Sequence, residues 1–464
     1  MPGVDSKHPQ YTAARQADWR LMRDAMDGES AVKARGETYL PKPSGYAALS
    51  DGGTAAYDAY RKRAEFPELV APAVSGMAGV AHAKEISIEL PTALEYLWED
   101  ANGDGMPLEE FHRQITRELL VSGRHAVLAD APAAGGEPYL ASYVGESLIN
   151  WDRDFYVLDE SGPVRDGFEW VNETRFRVLR LDDGRYVQEV YGKDAKAMEG
   201  WASPSGAGGV SLDFIPFAVA SAVDLRPDIR TPPLIGVARA ALSIYQLDAD
   251  YRHQLYWSGQ ETLVVINGEP PEAVGAGACI ALQGGEDATP DVKYVGPTCA
   301  GIDAHLKAIE DKRRAAAHAG AKLLEQSEKA QESGEARKLR FQSETATLQS
   351  IVRSGCALLE AGLRFIARMK GLDPASVTVP VPESLMDSTL SPADAQALMA
   401  LWLEGAISYE TYYENLQRGG IASPERKAEE EFALAEKERE RRELGDEGGD
   451  DTGADGLKPG GEAA

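Results

Sequence analysis

The stretch that decides the fold is residues 234–257, LIGVARAALSIYQLDADYRHQLYW, which follow Pro232 and Pro233. Its apolar residues recur at steps of three and four, the period of one face of an α-helix. Proline is tolerated in a first helical turn because its missing N–H would be unpaired there, and Ser258 and Gly259 end the pattern. The stretch therefore predicts a long helix.

A short β-rich insert and a second helix follow. Residues 261–266 (ETLVVI) and 291–295 are rich in β-branched residues, 278–282 are a third candidate strand, and Asn267-Gly268 is a turn signal. Asp303 is a predicted N-cap for a charged helix over 303–324, which would be about 30 Å long. This order predicts two helices side by side with a small module at their tip.

Residues 326–335 (QSEKAQESGE) fit neither the helical nor the strand period and predict a mobile loop. A third helix starts near Ala336 and ends before Gly371 and Pro374. Its apolar stripe consists of Leu348, Val352, Cys356, Leu359, Leu363 and Ile366. The same pattern also fits an ordinary three-helix core with a frayed linker.

The flanking regions predict mixed structure. Helical patterns cover 13–26, 55–66, 107–120, 391–403, 408–418 and 425–444. Strand patterns cover 126–129, 140–144, 155–158, 167–171, 175–181, 186–191, 214–219 and 377–381, with a hairpin turn at Asp183-Gly184. Residues 67–90 predict a buried helix that passes into a strand over 85–90. The predicted fold class is α+β.

Composition sets outer bounds on function. A chain of 464 residues with 43% hydrophobic residues is expected to form several cores. Three cysteines without metal-like spacing indicate a reducing compartment. The start MPGVDSKHPQ does not predict a signal peptide, and no long apolar run predicts a membrane partner. The net charge of −27 argues against wrapping nucleic acid, because tight phosphate binding needs clustered Lys and Arg.

Sequence motifs for nucleotide binding, zinc binding or a nucleophilic serine do not occur, so neither an enzyme nor a cofactor is predicted. One acidic loop is an exception. Asp100, Asn102 and Asp104 match the first half of a calcium-binding EF loop, but Phe111 occupies the position of its bidentate Glu. The alternative is an acidic turn in which Asp104 caps the helix that starts near Pro107. A calcium-assisted hydrolase is therefore a minor hypothesis.

Five basic residues surround the predicted mobile loop and are candidates for DNA contact: Lys322, Lys329, Arg337, Lys338 and Arg340. Glutamates at three- and four-residue spacing offer a different interpretation, a solvated helix face held by ion pairs.

A series of motifs in order covers about residues 11 to 430. It comprises Trp19, Gly28, Gly36, Tyr39-Leu40-Pro41, 60–66 (YRKRAEF), 99–101 (EDA), Gly105, Phe111, 123–130 (GRHAVLAD), 149–151 (INW) and 405–411 (GAISYET). Taken together, these resemble the portal proteins of tailed double-stranded-DNA bacteriophages, the head-to-tail connector rings. Trp19, Tyr39 and Trp151 are expected in the core rather than at a contact surface.

The resemblance implies a portal architecture with an outer wing, a two-helix stem, a small α/β clip and a helical C-terminal crown. Its parts would be wing 1–230, stem helix 231–259, clip 260–302, stem helix 303–324, wing with tunnel loop and long helix 325–385, crown 386–445 and a disordered acidic tail 446–464. The tunnel loop maps onto 326–335.

The resemblance also implies partners. The chain would form a homo-oligomer, commonly of twelve subunits, at the portal vertex of the virion, with double-stranded DNA passing through its channel. Further partners would be the terminase large subunit, the major capsid protein and a head–tail adaptor. Clip candidates for facing terminase or adaptor are Glu272, Glu286, Asp291 and Lys293. A largely acidic lumen would keep DNA from sticking. A head–tail adaptor or another structural oligomer is the alternative.

Overall fold

The computed structural model describes residues 3–84, 86–132, 135–194, 196–198, 203–259, 262–269, 271, 274, 281–282, 289–296, 301–318, 320, 334–382, 392–418, 421–423 and 426–446. For 208, 262, 318, 334–346, 392–395, 418 and 438–446 it describes the backbone alone. The chain divides into two compact units, Met1–Glu383 and Ser384–Ala464.

The described residues form eleven α-helices: α1 Ala13–Asp27, α2 Glu29–Ala34, α3 Thr54–Arg63, α4 Val70–Ala81, α5 Leu108–Ser122, α6 Ile235–Ser258, α7 Ile302–His318, α8 Gly334–Met369, α9 Pro392–Leu403, α10 Tyr409–Arg418 and α11 Ala428–Asp446. They also form eleven strands: β1 Arg124–Asp130, β2 Tyr139–Val144, β3 Leu148–Trp151, β4 Phe155–Asp159, β5 Gly162–Asp166, β6 Glu169–Glu173, β7 Arg175–Asp182, β8 Arg185–Gly192, β9 Phe217–Ser221, β10 Thr262–Ile266 and β11 Asp291–Val295. The predicted α+β class is confirmed.

The core of the first unit lies between α8 and a three-stranded antiparallel sheet of order β2-β1-β9. Strand β1 is buried along its whole length. Gly362 of α8 lies so close to this strand that an added Cβ would be 2.9 Å from Val127 Cγ1. All six residues of the predicted apolar stripe on this helix are buried, which confirms that face. Burying each such side chain contributes about 1.5–3 kcal/mol.

A second antiparallel sheet has the order β3-β4-β7-β8. The predicted hairpin turn between its last two strands is confirmed, with positive φ at both Asp183 and Gly184. Arg177 of β7 forms ion pairs of 2.9 Å with Asp130 of β1 and 2.6 Å with Glu160. This buried network joins the two sheets.

The aromatic residues at the start of the resemblance are core residues, as expected. Trp19, Tyr39 and Trp151 are all buried, and the Trp19 indole N–H donates to the Ser122 carbonyl over 2.8 Å. The Trp19 bond joins α1 to the end of α5.

Two strand predictions are wrong. Residue 85 of the first prediction lies outside the described residues, and residues 86–90 and 377–381 form no strand; they meet only in an isolated bridge between Glu89 and Thr378. Only one residue of each segment pairs with the other, whereas a β-strand requires a run of consecutive backbone hydrogen-bonded pairs. The prediction also missed β3 and β5, the second because Gly162 and Pro163 read as breakers.

Helix α7 is shorter than the helix predicted over 303–324. It begins at Ile302, so Asp303 lies inside its first turn instead of capping it, and it ends at His318. Gly320 has φ 121, a conformation that a continuous helix does not allow. The predicted extension to 324 is therefore wrong at this residue.

The C-terminal unit contains α9, α10 and α11. Its helices pack through aromatic rings, with Trp402 stacked on Tyr412 at 5.2 Å and Tyr409 against Phe432 at 4.8 Å. Ser408 Oγ accepts a hydrogen bond from the Thr411 backbone N–H over 3.2 Å and so caps the start of α10. Across the described residues, no helix combines the length and the apolarity that crossing a membrane requires.

Candidate functional site

Helices α6 and α7 lie side by side and run in opposite directions, as the sequence predicts. Gly301, just before α7, lies beside the end of α6, where an added Cβ would be 2.9 Å from Gln254 Nε2. Gly320, just after α7, lies beside the start of α6, where an added Cβ would be 3.2 Å from Leu234 Cδ2. We call this antiparallel pair the stem.

Burial along the stem changes from one end to the other. The buried residues of α6 all lie between Ile235 and Ala249. Beyond them Tyr256 is 45% and Trp257 62% exposed. On α7, Leu306 is 46% exposed near the same end. The stem is therefore embedded in the first unit at one end and uncovered at the other.

Polar contacts hold the embedded end of the stem. Arg239 pairs with Asp18 of α1 at 2.6 Å, and Gln246 Nε2 donates to the Tyr39 carbonyl over 2.8 Å. Two residues further on, Asp248 accepts a hydrogen bond from the Glu65 backbone N–H over 2.7 Å. These bonds tie α6 to three separate segments of the N-terminal region, so the angle of the stem is fixed by the body.

An aromatic cluster lies where the stem leaves the body. His253 contacts the rings of Tyr46, Tyr60 and Trp257 edge-on, at centroid distances of 6.0, 5.4 and 6.1 Å. The Trp257 indole N–H donates to His253 Nε2 over 3.0 Å. Burial, and secondarily the Arg63 guanidinium, lower the pKa of His253 below its usual value, which favours the neutral ring that accepts this bond.

The stem carries little net charge. Its two helices contain six basic and five acidic residues. An acidic lumen would therefore have to draw its charge from other segments. Lys307, Lys312 and Arg313 are exposed on α7, and within the described part of the chain none of them has an ion-pair partner. The sequence-based DNA candidates lie further along the chain and do not include these three, although the run at 312–314 (KRR) is a signal for two of them.

The tunnel-loop candidates are not tested by the described residues. Lys322 and Lys329 lie outside them, as do residues 326–333 of the predicted mobile loop. Residues 334 and 335 belong to α8, and Arg337, Lys338 and Arg340 lie on its first turns, where only the backbone is described.

The clip candidates divide in the same way. Glu272 and Glu286 lie outside the described residues, as do residues 278–280 of the third candidate strand. Asp291 and Lys293 are exposed on β11, which pairs antiparallel with β10. Asn267 adopts φ 52 at the end of β10, in agreement with its turn signal. The role of these residues towards a partner stays a prediction.

The acidic loop before α5 uses its own oxygens internally. Asp100 Oδ1 accepts from the Gly105 N–H over 2.9 Å, and Asn102 Oδ1 accepts from the N–H groups of Asp104 and Met106. Pro107 rather than Asp104 precedes α5, and no side chain caps that helix, so the capping prediction is wrong. In the described segments no group of three or more His, Cys, Asp or Glu side chains is placed to hold a metal ion.

Comparison with known proteins gives one family match, to "Domain of unknown function (DUF4055)" over residues 233–369, which runs from the start of α6 to the end of α8. No curated protein matches the chain. The match covers less than half of the chain, but it begins and ends with the helices that sequence analysis singled out.

Among solved structures, the chain is similar to a chain of the neck of an empty GTA particle computed with C6 symmetry, at 16% identity and TM-score 0.43, over 82% of this chain and 94% of that one. It is similar to a chain of the neck of a native GTA particle computed with C12 symmetry, at 15% identity and TM-score 0.38, over 75% and 89%. A third is from the virion of a native gene transfer agent (GTA) particle, at 15% identity and TM-score 0.39, over 86% and 99%. At these TM-scores the similarities do not decide the function.

Proposed function

We propose that this chain is the subunit of a portal ring, which forms the channel for DNA entering the capsid during packaging and leaving it at ejection. The observation that carries the proposal is the stem: two antiparallel helices embedded in an α+β body at one end and uncovered at the other. The ordered motifs from Trp19 to 405–411 support the same function.

The stem suits a channel because its exposed half offers helix surface to neighbouring copies and to a lumen. Repeating one head-to-tail contact around an axis generates a closed ring when the rotation closes. Tilted copies of α6 and α7 would then surround a central hole. The proposed role is mechanical. We further propose that the ring has twelve subunits and lies at the portal vertex of the capsid shell in the virion.

Contacts to DNA would be weak and independent of sequence. Lys307, Lys312 and Arg313 provide exposed cations for phosphates, and the nearly neutral stem limits how tightly a duplex is held. Energy for translocation would come from the terminase, which the clip would meet through exposed groups such as Asp291 and Lys293. The head–tail adaptor would take the same end at a later stage.

A head–tail adaptor or other structural oligomer is the second candidate, since a projecting helical pair can also insert into a neighbouring ring. A calcium-assisted hydrolase has less support, because side-chain oxygens of Asp100 and Asn102 already accept hydrogen bonds from backbone N–H groups of their own loop. Calorimetric titration with calcium, compared between the wild type and Asp104→Ala, tests that alternative directly.

Negative-stain electron microscopy of the purified full chain tests the proposal. We expect rings with a central hole. A preparation of small globules, with no ring at any protein concentration, would contradict it. A ring that lacks a hole would favour the structural-oligomer alternative.

A further inference from the structure

Strands β5 and β6 form an isolated two-stranded ribbon, residues 162–173, which we call the arm. Its register pairs Arg165 with Trp170 and Asp166 with Glu169, which leaves Gly167 and Phe168 as a two-residue turn. Gly167 has φ 62, as a first turn residue of this kind requires. The arm belongs to neither of the two larger sheets.

The arm exposes large apolar side chains at its end. Phe168 is 97% exposed and Trp170 69% exposed. A two-stranded ribbon by itself is marginally stable in water, and a contiguous exposed apolar patch marks an interaction site. The arm is therefore built to be covered by another surface.

The charges of the arm also call for a partner. Asp166 and Glu169 face each other directly across the ribbon, an arrangement of like charges that destabilises an antiparallel pair. Neither carboxylate has an ion-pair partner among the described residues. A cation supplied by a neighbouring surface would relieve this repulsion.

A cavity of about 590 Å³ lies beside β3 and β4 of the four-stranded sheet, and four of its nine lining residues carry aromatic rings. His8, Phe155 and Tyr156 line it together with the buried Trp151, whose ring is covered by His8 at 3.8 Å and by the Arg124 guanidinium at 4.3 Å. The cavity opens to solvent, so it is a surface recess that a protruding side chain can reach from outside. The cavity is large enough to receive an aromatic side chain.

The lining of the cavity also includes a cation. Arg153 is exposed there, and no carboxylate within the described segments pairs with its guanidinium. Asp152 lines the cavity as well, but its carboxylate accepts a hydrogen bond from the Arg153 backbone N–H over 2.8 Å. Asp152 keeps its negative charge, so these two side chains together carry no net charge, and Arg153 is the one that the acidic pair of the arm would face.

The arm and the cavity lie at opposite ends of β4. The cavity is at the Phe155 end, whereas the chain leaves for the arm after Asp159, about 13 Å further along the strand. The arm therefore starts on the side of the sheet away from the cavity of its own chain. A head-to-tail contact between copies needs two different surfaces on each chain, facing in different directions. The arm and the cavity, at opposite ends of β4, provide such a pair.

We propose that the arm of one subunit inserts Phe168 and Trp170 into the aromatic cavity of the next copy of this chain, with Arg153 of that copy facing Asp166 and Glu169. The inference rests on the proposed ring. One contact between arm and cavity, repeated between neighbouring subunits, would close that ring. The occupant is a second copy because both halves of the contact lie on this chain.

Disulfide trapping tests this contact. In a Glu169→Cys/Arg153→Cys chain, which keeps Phe168 and Trp170, oxidation should give a ladder of covalent oligomers. A mixture of the two single variants should stop at dimers, because each chain then carries half of the contact. A Val210→Cys/Arg153→Cys chain is the matched control, since Val210 is 67% exposed but lies outside the arm, and it should give no ladder. Absence of a ladder, or a crosslink only within one chain, would overturn the proposal.

A second test uses the arm variant Phe168→Ser/Trp170→Ser, with Leu49→Ser/Val210→Ser as the control for lost exposed apolar surface. The arm variant should need at least about tenfold higher protein concentration for half-assembly, with an unchanged melting temperature. Normal rings from the arm variant would overturn the inference and leave the portal proposal standing. A ladder that grows into filaments without rings would support the inference and contradict the portal proposal. Normal rings with lost capsid-protein binding would assign the arm to that partner and overturn the inference.

Discussion

The Tyr60 hydroxyl donates a 2.6 Å hydrogen bond to the Asp250 carboxylate, which follows the last buried residue of α6. The bond joins α3 to the stem at the point where the stem leaves the body. Burial, with Asp250 next in effect, raises the pKa of Tyr60 well above its usual value, so the hydroxyl keeps its proton at every working pH.

The first prediction concerns this bond. Tyr60→Phe should lower the free energy of unfolding by about 1.5 kcal/mol, because a hydrogen bond to a charged group is lost while the exposed Asp250 regains water. Urea denaturation of the full chain measures the change. Tyr46→Phe is the matched control: its hydroxyl lies 3.3 Å from His253 Nε2, and its loss should be no more than about 0.5 kcal/mol. Equal losses in the two variants would show that the Asp250 bond does not anchor the stem.

The second prediction concerns the ion network between the two sheets. Arg177→Met should destabilise the first unit by about 3–5 kcal/mol, because it leaves the buried Asp130 carboxylate without its cation and leaves Glu160 with Arg175 alone. Thermal and urea unfolding both report the loss. Arg180→Met removes the ion pairs of a more exposed arginine with Asp182 and Glu189, and should change stability by less than about 1 kcal/mol. A small effect for Arg177→Met would mean that the sheets are held by apolar packing alone.

The third prediction concerns acid. Burial lowers the pKa of His112 to about 3 and that of His125 to about 3, so both rings are neutral in the folded protein. Unfolded histidine binds a proton near pH 6.5, so their contribution is complete above that pH and is lost as the pH falls towards 3. Each should remove about 2 kcal/mol of stability between pH 6.5 and pH 5.

Urea unfolding across that window measures the slope. His112→Gln should flatten it by up to about 1.4 kcal/mol per pH unit, since one buried titrating group is gone. Leu359→Ala is the control, because it opens the same core without removing a histidine and should lower stability equally at each pH. An unchanged slope in His112→Gln would contradict the neutral buried ring.

The sequence was informative where one element supplies its own pattern. The stripe of α8 from Leu348 to Ile366 is buried as predicted, because a long amphipathic helix shows its core face by period alone. Strands depend on partners that the period does not reveal. Residues 377–381 alternate like a strand, yet only Thr378 finds a partner, in Glu89.

The order of the stem helices along the chain was predictable from the sequence, but the exposure of their side chains was not. The apolar period of α6 continues to Leu255, yet burial stops at Ala249, because the body that covers the helix ends there. The arm was predicted only in part: the strand pattern over 167–171 overlaps β6, whereas β5 was missed. Residues 162–173 form their own small ribbon, and its pairing depends on a turn at Gly167 that separates it from the larger sheet.

The fourth prediction concerns residues 326–335. Their deletion should leave rings assembled, since the stem and its anchors lie outside the deleted segment, but should impair retention or packaging of DNA. An in vitro packaging assay with nuclease protection measures the effect. Deletion of a length-matched part of the C-terminal tail, 453–462, is the control. Normal packaging by the 326–335 deletion would remove this segment from the DNA path.

The central claim is that the two stem helices of many copies surround a hole. A single-particle reconstruction of the assembled protein tests it most directly. We predict that α6 and α7 of each subunit lie side by side and are tilted about a rotational axis. Their exposed ends, near Trp257, should lie next to the β-rich insert over 260–302. A reconstruction in which both helices are enclosed in a separate globule, without contact to neighbouring copies, would contradict it.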